Sequence, residues 1–275
     1  MPEGHTLHRL ADLHRRRYAG HPVAVSSPQG RFAASAALVD GRVLERTEAH
    51  GKHLFHHYGP GLVVHVHLGL YGTFRDEQLP AAEPVGQVRM RMVGATHYAD
   101  LRGATACELI TDAEAAAVHA RLGEDPLRAD ADPDRAWARI SRSRAPLATL
   151  LMDQSVIAGV GNVYRAEVLF RHRLDPQLPG RDLRRKQWGA LWGDLVDLLA
   201  EGFRHGVIET LRPEHEALSD GPVDVSGKRV YVYRRAGEPC LVCGGRVAHA
   251  EHAARNLFWC PKCQRKPRRR TSGAR

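Results

Sequence analysis

Between Thr6 and Tyr18 the apolar positions Leu7, Leu10 and Leu13 recur at helical spacing, with His14 on their face and Arg9, Arg15, Arg16 and Arg17 mostly off it. That pattern predicts an amphipathic helix at the start of the chain. From Val23 to Ile110 the period shortens: VVHVHL at 63–68 and VRMRMV at 88–93 alternate, broken by Gly, Pro and Asp. Short antiparallel strands of a sandwich or barrel are expected there. A second helix is expected at about 112–122, with Thr111 and Glu114 spaced as a capping box and Gly123 placed to stop it. The stretch 123–134, GEDPLRADADPD, is acidic, proline-bearing and free of bulky apolar residues except Leu127, so it reads as a boundary or linker. Beyond it the pattern is mostly helical to about residue 210. The clearest helix, 186–203, carries a stripe of Trp188, Leu191, Trp192, Leu195, Val196 and Leu199. Such a stripe marks its tryptophans as core rather than as base-stacking platforms. No internal repeat is visible.

A length of 275 residues favours two globular units, or one with small appendages. The hydrophobic fraction of 43% and charged fraction of 26% are those of a folded globular protein. The formal net charge is +9, and Arg265, Lys266, Arg268, Arg269, Arg270 and Arg275 crowd one end, which implies an anionic partner. That basic tail is expected to be disordered in isolation. Nucleic acid is the commonest such partner and a membrane surface the next. No apolar run approaches the roughly 18 residues of a spanning helix, and MPEGHTLHRL lacks the apolar centre of a secretion signal. The expected setting is the cytosol.

Four of the five cysteines form two C-x-x-C pairs, Cys240 with Cys243 and Cys260 with Cys263, separated by sixteen residues. Two such turns bring four thiolates to one tetrahedral ion, with Gly244, Gly245 and Pro261 suited to tight knuckles and the intervening residues short enough for a hairpin. A redox C-x-x-C normally stands singly. One structural zinc is therefore expected, and His249 and His252 are surplus to its tetrahedron. Cys107, in ATACELI, reads as a buried strand residue rather than a reactive thiol. A closed zinc site does no chemistry, so its use lies in what the hairpin presents. Arg255 is the candidate: alone it would be a solvated surface arginine, but beside a basic tail a guanidinium is suited to gripping phosphate.

At the amino terminus, Met-Pro-Glu admits two readings. Pro favours the first turn of a helix and Glu its positive end; alternatively, trimming of Met1 leaves Pro2 with a free secondary amine. An amine that attacks C1′ of a deoxyribose forms an iminium and makes the C2′ proton labile, which drives strand cleavage by elimination. A lysine with a pKa of about 10.4 is neutral roughly once in a thousand at pH 7.5, whereas an α-amine near 7.7–8.0 is neutral about a third of the time. Glu3 is placed to move protons as the sugar opens.

The segments MPEGHTLHRLAD, GKHLF at 51–55, HLGLYG at 67–72, LMDQSVIAGVGNVYRAEVLF at 151–170 and CLVCGG…RNLFWCPKCQ resemble the formamidopyrimidine-DNA glycosylase and endonuclease VIII family. They occur in the family's order and span essentially the whole chain. The resemblance implies an α+β protein: an N-terminal two-layered β-sandwich with flanking helices over 1–122, a linker at 123–134, a helix-two-turns-helix DNA-binding domain over 135–225, a zinc β-hairpin over 228–264 and a basic tail at 265–275. It further implies a monomeric, bifunctional base-excision enzyme at the nucleoid, which removes oxidised bases and cleaves the strand by β,δ-elimination. Carried over by residue, Pro2 is the nucleophile and Glu3 the general acid; Lys52 supports catalysis and contacts phosphate. Asn162 grips a phosphate, Arg255 holds the phosphate flanking the abasic sugar, and Leu70 with Tyr71 forms the wedge that fills the stack when the damaged nucleotide is flipped. Without the resemblance, Lys52 would be a strand-edge lysine, Asn162 a turn residue between glycines and a helix, and Leu70 and Tyr71 strand or turn residues of a core.

PEGH and GNVYR are closer to the endonuclease VIII branch, especially its actinobacterial members, than to the formamidopyrimidine branch. The stretch DVSGKRVYVY leaves little room for the long loop that some oxidised-purine enzymes close over the base. Oxidised pyrimidines and abasic sites are therefore the expected substrates. Gly69 stands where some members carry a polar wedge residue, so the void is filled differently, or the working DNA is looped or single-stranded rather than duplex. Two rivals remain: a zinc protein that binds damaged DNA without cutting it, and a basic RNA-binding or ribosomal zinc protein. Intact Pro2, Glu3 and Lys52 argue against the first, and the amino terminus against the second.

Overall fold

The computed structural model describes residues 2–216 and 229–265. The expected basic tail beyond 265 and the start of DVSGKRVYVY lie outside these residues. The chain divides into two compact units, Met1–Leu127 and Arg128–Arg275, so the division falls within the acidic 123–134 stretch.

The first unit opens with α1 (Gly4–Tyr18), which begins two residues before the expected Thr6. Eight short strands follow: β1 (Ala24–Ser26), β2 (Arg46–His50), β3 (His53–His57), β4 (Val63–His67), β5 (Thr73–Gln78), β6 (Val88–Val93), β7 (His97–Arg102) and β8 (Ala106–Ile110). A short helix, α2 (Ala33–Val39), lies between β1 and β2. They make two four-stranded antiparallel sheets, β1-β6-β7-β5 and β2-β3-β4-β8. The core joins Leu7, Tyr18, Leu54, Val66, Met90, Met92 and Leu101, all buried, and each such side chain contributes about 1.5–3 kcal/mol by leaving water. Arg91 and Asp100 face each other across β6 and β7 and form a bidentate pair at 2.7 and 2.8 Å, a geometry that satisfies both buried charges.

Strands β3 and β4 are buried on both faces, which the alternating pattern did not predict. Helix α3 (Asp112–Arg121) covers the second face, where Phe55, Val63, Ala115 and Val118 make a small separate cluster. Histidines border that cluster: His53 Nδ1 lies 2.8 Å from His65 Nε2, and His50 Nδ1 3.0 Å from His119 Nδ1. The capping box of α3 is as expected, with Thr111 N–H donating to Glu114 at 2.8 Å and Glu114 N–H to Thr111 Oγ1 at 3.2 Å. Its end is not. The C-cap is Leu122, in extended conformation, and Gly123 does not adopt a positive φ; its carbonyl accepts a hydrogen bond from His50 Nε2 at 3.1 Å instead.

The second unit contains α4 (Pro133–Ile140), α5 (Leu147–Leu150), α6 (Asn162–Arg171), α7 (Arg185–His205), α8 (Pro213–Glu216) and a hairpin of β9 (Ala248–His252) with β10 (Arg255–Trp259). Helix α7 runs through the predicted 186–203 region and stops at Gly206, φ +74°, whose N–H bonds the Gly202 carbonyl. Trp188, Leu191, Trp192, Leu195 and Leu199 are core, as expected, while Leu198 rather than Val196 completes the buried face. Helix α6 is buried along Asn162–Phe170 and carries Glu167 into the interior. That carboxylate accepts from Thr210 Oγ1 at 2.6 Å and from the backbone N–H groups of Tyr231, Val232 and Tyr233 at 2.7, 2.9 and 2.9 Å. A buried charge is tolerated only when its acceptor sites are filled in this way, and here the backbone donors come from the bends and turn that lead to the hairpin. Among the described residues, no helix is long and apolar enough to cross a membrane.

Candidate active site and nucleic-acid interface

Glu3 is the N-cap residue of α1 and fully buried, yet its side chain makes no capping hydrogen bond. Thr6 N–H bonds the Glu3 carbonyl at 2.9 Å instead. Pro2 precedes it, half-buried, at the end of α1 where unsatisfied N–H groups create positive potential. That potential disfavours protonation of a neighbouring amine.

Helix α1 packs against β2 and β3, the strands that flank Gly51 and Lys52. His50 pairs with His53, so the hairpin turn has two residues, and Gly51 takes φ +58° in its first position. Gly supplies this conformation without a Cβ clash. Lys52 is thereby placed at the tip of a turn, half-buried, rather than along a strand edge.

The proposed wedge residues stand out from the surface: Tyr71 is 84% exposed and Leu70 47%. A buried core role for them is thus excluded. Gly69 beside them has φ +69°, and a Cβ there would meet Thr105 Oγ1 at 2.0 Å. A side chain at position 69 would be strained by this φ and would have to displace Thr105, and Leu70 and Tyr71 are the side chains that project from this turn.

In the second unit, Asn162 is the first residue of α6 and largely buried. Its Oδ1 accepts from Arg165 Nη2, whose guanidinium also donates to the Ala148 carbonyl at 3.3 Å and the Asn256 carbonyl at 3.0 Å. This orients the amide with its Nδ2 as the remaining donor. Arg165 thus ties Asn162 to the residue after Arg255. Arg255 itself is exposed and opens β10 directly after a two-residue turn, Ala253 at φ +50° and Ala254 at φ +55°. Both alanines sit in the left-handed region, at a cost of about 1 kcal/mol each relative to glycine. Across the turn, His252 Nε2 is hydrogen-bonded to Thr149 Oγ1 at 2.7 Å. Burial, and then the nearby Arg165 charge, hold this imidazole below its ordinary pKa and so neutral.

The four sulfurs of Cys240, Cys243, Cys260 and Cys263 lie within 4.8 Å of one another, with Cys240–Cys263 at 3.9 Å and Cys243–Cys260 at 3.5 Å. Tetrahedral zinc with Zn–S of about 2.3 Å requires sulfurs about 3.8 Å apart. The donor set fits, and these residues hold a structural zinc. Cys107 is half-buried in β8, its thiol pushed up to about 12 by burial, which leaves it protonated and unreactive at neutral pH.

Several contacts around the candidate residues were not visible in the sequence. Arg165 could have been suspected as a lone charge in the apolar run VYRAEVLF. His8, which lies 2.7 Å from Asp125 Oδ2 through its Nε2, Asp125 itself and the carbonyl of Asn256 carried no signal, because their partners lie far away in the chain.

Residues 1–107 match the family model described as the formamidopyrimidine-DNA glycosylase N-terminal domain, residues 122–212 the formamidopyrimidine-DNA glycosylase H2TH domain, and residues 237–265 a zinc finger found in FPG and IleRS. Endonuclease 8 1 of Mycobacterium tuberculosis is 62% identical over 273 residues, covering 96% of this chain and 100% of its own length. Endonuclease 8 of Salmonella paratyphi A is 30% identical over 275 residues with the same coverage. Among solved structures, Lactococcus lactis Fpg in complex with DNA containing an abasic site has a TM-score of 0.77 at 21% identity, covering 96% of this chain and 100% of its own. MutM with DNA carrying carbocyclic 8-oxo-G gives 0.76 at 21%, with equal coverage. The structural likeness shows the shared fold, and the sequence matches show descent: the chain belongs to the formamidopyrimidine-DNA glycosylase and endonuclease 8 family of bifunctional DNA glycosylase and AP lyases, on the side of the actinobacterial endonuclease VIII proteins.

Proposed function

We propose that this chain excises oxidised pyrimidines from DNA in the cytosol, as a monomer, and cleaves the strand through a Schiff base on Pro2 formed once Met1 is removed. The setting of Glu3 carries the assignment: a fully buried acid at the head of α1, next to Pro2, that does not cap its helix. The neutral amine attacks C1′, and the bond to the base breaks as the base leaves with its electron pair and a proton. Glu3 protonates the ring oxygen, the C1′–O4′ bond opens and the iminium forms. Loss of the C2′ proton then expels the 3′ phosphate, and a second elimination expels the 5′ phosphate; water finally releases Pro2.

Lys52 at its turn tip, the Nδ2 of Asn162 and the guanidinium of Arg255 serve as phosphate contacts that hold the register of the strand. Leu70 and Tyr71 enter the vacated stack, offsetting an unstacking cost of a few kcal/mol. Because Gly69 brings no side chain, the exposed Tyr71 ring takes the larger share of that void. The pyrimidine preference rests on the endonuclease VIII character of the PEGH and GNVYR segments.

The test is borohydride trapping on DNA with an abasic site. The intact, Met1-processed protein is expected to form a covalent adduct, and a Pro2→Gly or amino-terminally extended form to lose most of it. Absence of an adduct from the intact protein overturns the proposal. Arg255→Ala is expected to slow strand cleavage by about 100-fold, the size of effect that follows loss of a positioning clamp, with zinc content unchanged; loss of zinc in that variant would refute the phosphate role.

A further inference from the structure

We propose that His8 and Asp125 are positioning residues that set Lys52 against the amino-terminal end of α1, an inference that rests on the catalytic roles given above. Asp125 lies in the stretch that reads as a linker, but its residue is 1% exposed. Its Oδ2 accepts two hydrogen bonds, from Gly51 N–H at 2.7 Å and from His8 Nε2 at 2.7 Å. Its Oδ1 accepts from Leu127 N–H at 2.9 Å. Burial alone would raise the carboxyl pKa; the His8 contact and the N–H groups of Gly51 and Leu127 outweigh it and hold the group below its ordinary value. It is therefore an ionised acceptor at neutral pH, where such bonds are short and strong.

The two donors on one oxygen come from the two segments that bear the reacting groups. Gly51 immediately precedes Lys52, so anchoring its N–H fixes the His50–Gly51 peptide plane at the start of the two-residue turn that carries the lysine. His8 stands on α1 five residues after Glu3, about 7–8 Å along a rigid helix, so a restraint on His8 is transmitted to Glu3 and Pro2. A second strut seats the same stretch: His50 Nε2 bonds the Gly123 carbonyl at 3.1 Å, and His50 Nδ1 meets His119 Nδ1 at 3.0 Å. A carboxylate that merely filled space would be bonded only within its own loop, as Oδ1 is to Leu127 N–H. This one joins a helix to a hairpin turn, and a misplacement of about 1 Å between reacting groups costs on the order of 100-fold in rate.

Single-turnover cleavage of abasic-site duplex DNA, borohydride trapping, DNA affinity and thermal stability are measured together for the intact protein, His8→Ala, His8→Gln, Asp125→Asn and the His8→Ala/Asp125→Asn pair. His8→Ala is expected to slow elimination by about 10- to 100-fold, with affinity within about twofold. His8→Gln, whose amide donates in a similar direction, recovers most of the rate, and the double variant is no slower than the slower single one. An intact protein that traps no adduct refutes the catalytic reading beneath the proposal. An intact protein that traps normally while His8→Ala cleaves at the same rate refutes the latch alone, as does a loss that follows affinity or melting temperature. Should His8→Ala fail to fold, His8→Gln near the intact rate with Asp125→Asn slow supports the latch, and both at the intact rate overturn it.

Discussion

In the first unit the turn bearing Lys52 is braced by buried Asp125 and half-buried His8 against a sandwich whose core spans two sheets. In the second, the turn before Arg255 contains two alanines at positive φ and is held by a cysteine cluster, by His252 on Thr149 and by Arg165 on the Asn256 carbonyl. A sandwich buries enough apolar surface to stabilise its own turns. A two-stranded hairpin does not, so the second unit draws on a metal and on buried charge. Chemistry placed in the first unit is thus insulated from zinc, whereas the proposed grip on phosphate is not.

The largest effect that bears on this contrast is zinc removal. All four tryptophans, Trp137, Trp188, Trp192 and Trp259, lie in the second unit, so their fluorescence reports that unit alone. Structural zinc is worth about 10–16 kcal/mol in small fingers. Chelation, or Cys260→Ser, is expected to alter the Trp259 signal and abolish strand cleavage, while NMR signals of histidines in the first unit keep their shifts. Collapse of those shifts as well would show that the units do not differ as described.

Next in size is Glu167→Ala. It leaves the backbone donors of Tyr231, Val232 and Tyr233 without their acceptor, and is expected to destabilise the second unit by about 3–5 kcal/mol, as when one partner of a buried charged network is removed. Urea unfolding followed by tryptophan fluorescence measures it. A loss under about 1 kcal/mol would mean that water replaces the carboxylate.

Acid acts on the other side of the comparison. Burial, followed by the charges of His65 and His67, lowers His53 to about 3, and burial beside His14 holds His56 well below its ordinary value. The unfolded chain takes up protons on these rings near pH 6.5, and the folded chain does not until far lower. Folding stability of the first unit is therefore intact above about pH 6.5 and declines below it, by about 1.4 kcal/mol per pH unit for each such ring, down to the folded pKa. Ring proton signals of His53 and His56 should stay constant between pH 7 and 5. A midpoint near 6.5 in either would remove this account.

The smallest expected change is a gain. Ala254→Gly relieves a left-handed alanine and should stabilise the hairpin by about 0.4–1 kcal/mol, less the added entropy of the unfolded chain. Thermal melting of the zinc-loaded protein reads it, and a lower melting temperature would show that the turn is not strained.

Elements whose determinants are close in sequence were legible. The α1 helix, the Thr111–Glu114 box, the Trp-lined α7 and the two C-x-x-C knuckles each need only neighbouring residues, and each formed, although the buried face of α1 runs through Leu7, Ala11, His14 and Tyr18 rather than through Leu10 and Leu13. The stop of α3 was misread because Gly123 is occupied by a tertiary bond to His50 rather than by a left-handed cap. The stretch that reads as a linker hides a buried aspartate for the same reason: polarity predicts exposure only when no distant donor is available to satisfy it.

By itself, the sequence determined the sandwich-forming strands, the zinc ligands, the candidate amine at Pro2 and the family, since these depend on local spacing and on residue identity. Tertiary structure alone decided that histidines would border the second buried face of the β2-β3-β4-β8 sheet, that Glu167 would staple the approach to the hairpin, and that Asp125 would join α1 to the turn of Lys52. Each of these is a polar group with partners twelve or more residues away. Burying it is unfavourable until the fold brings those donors within reach, so its role exists only in the folded chain.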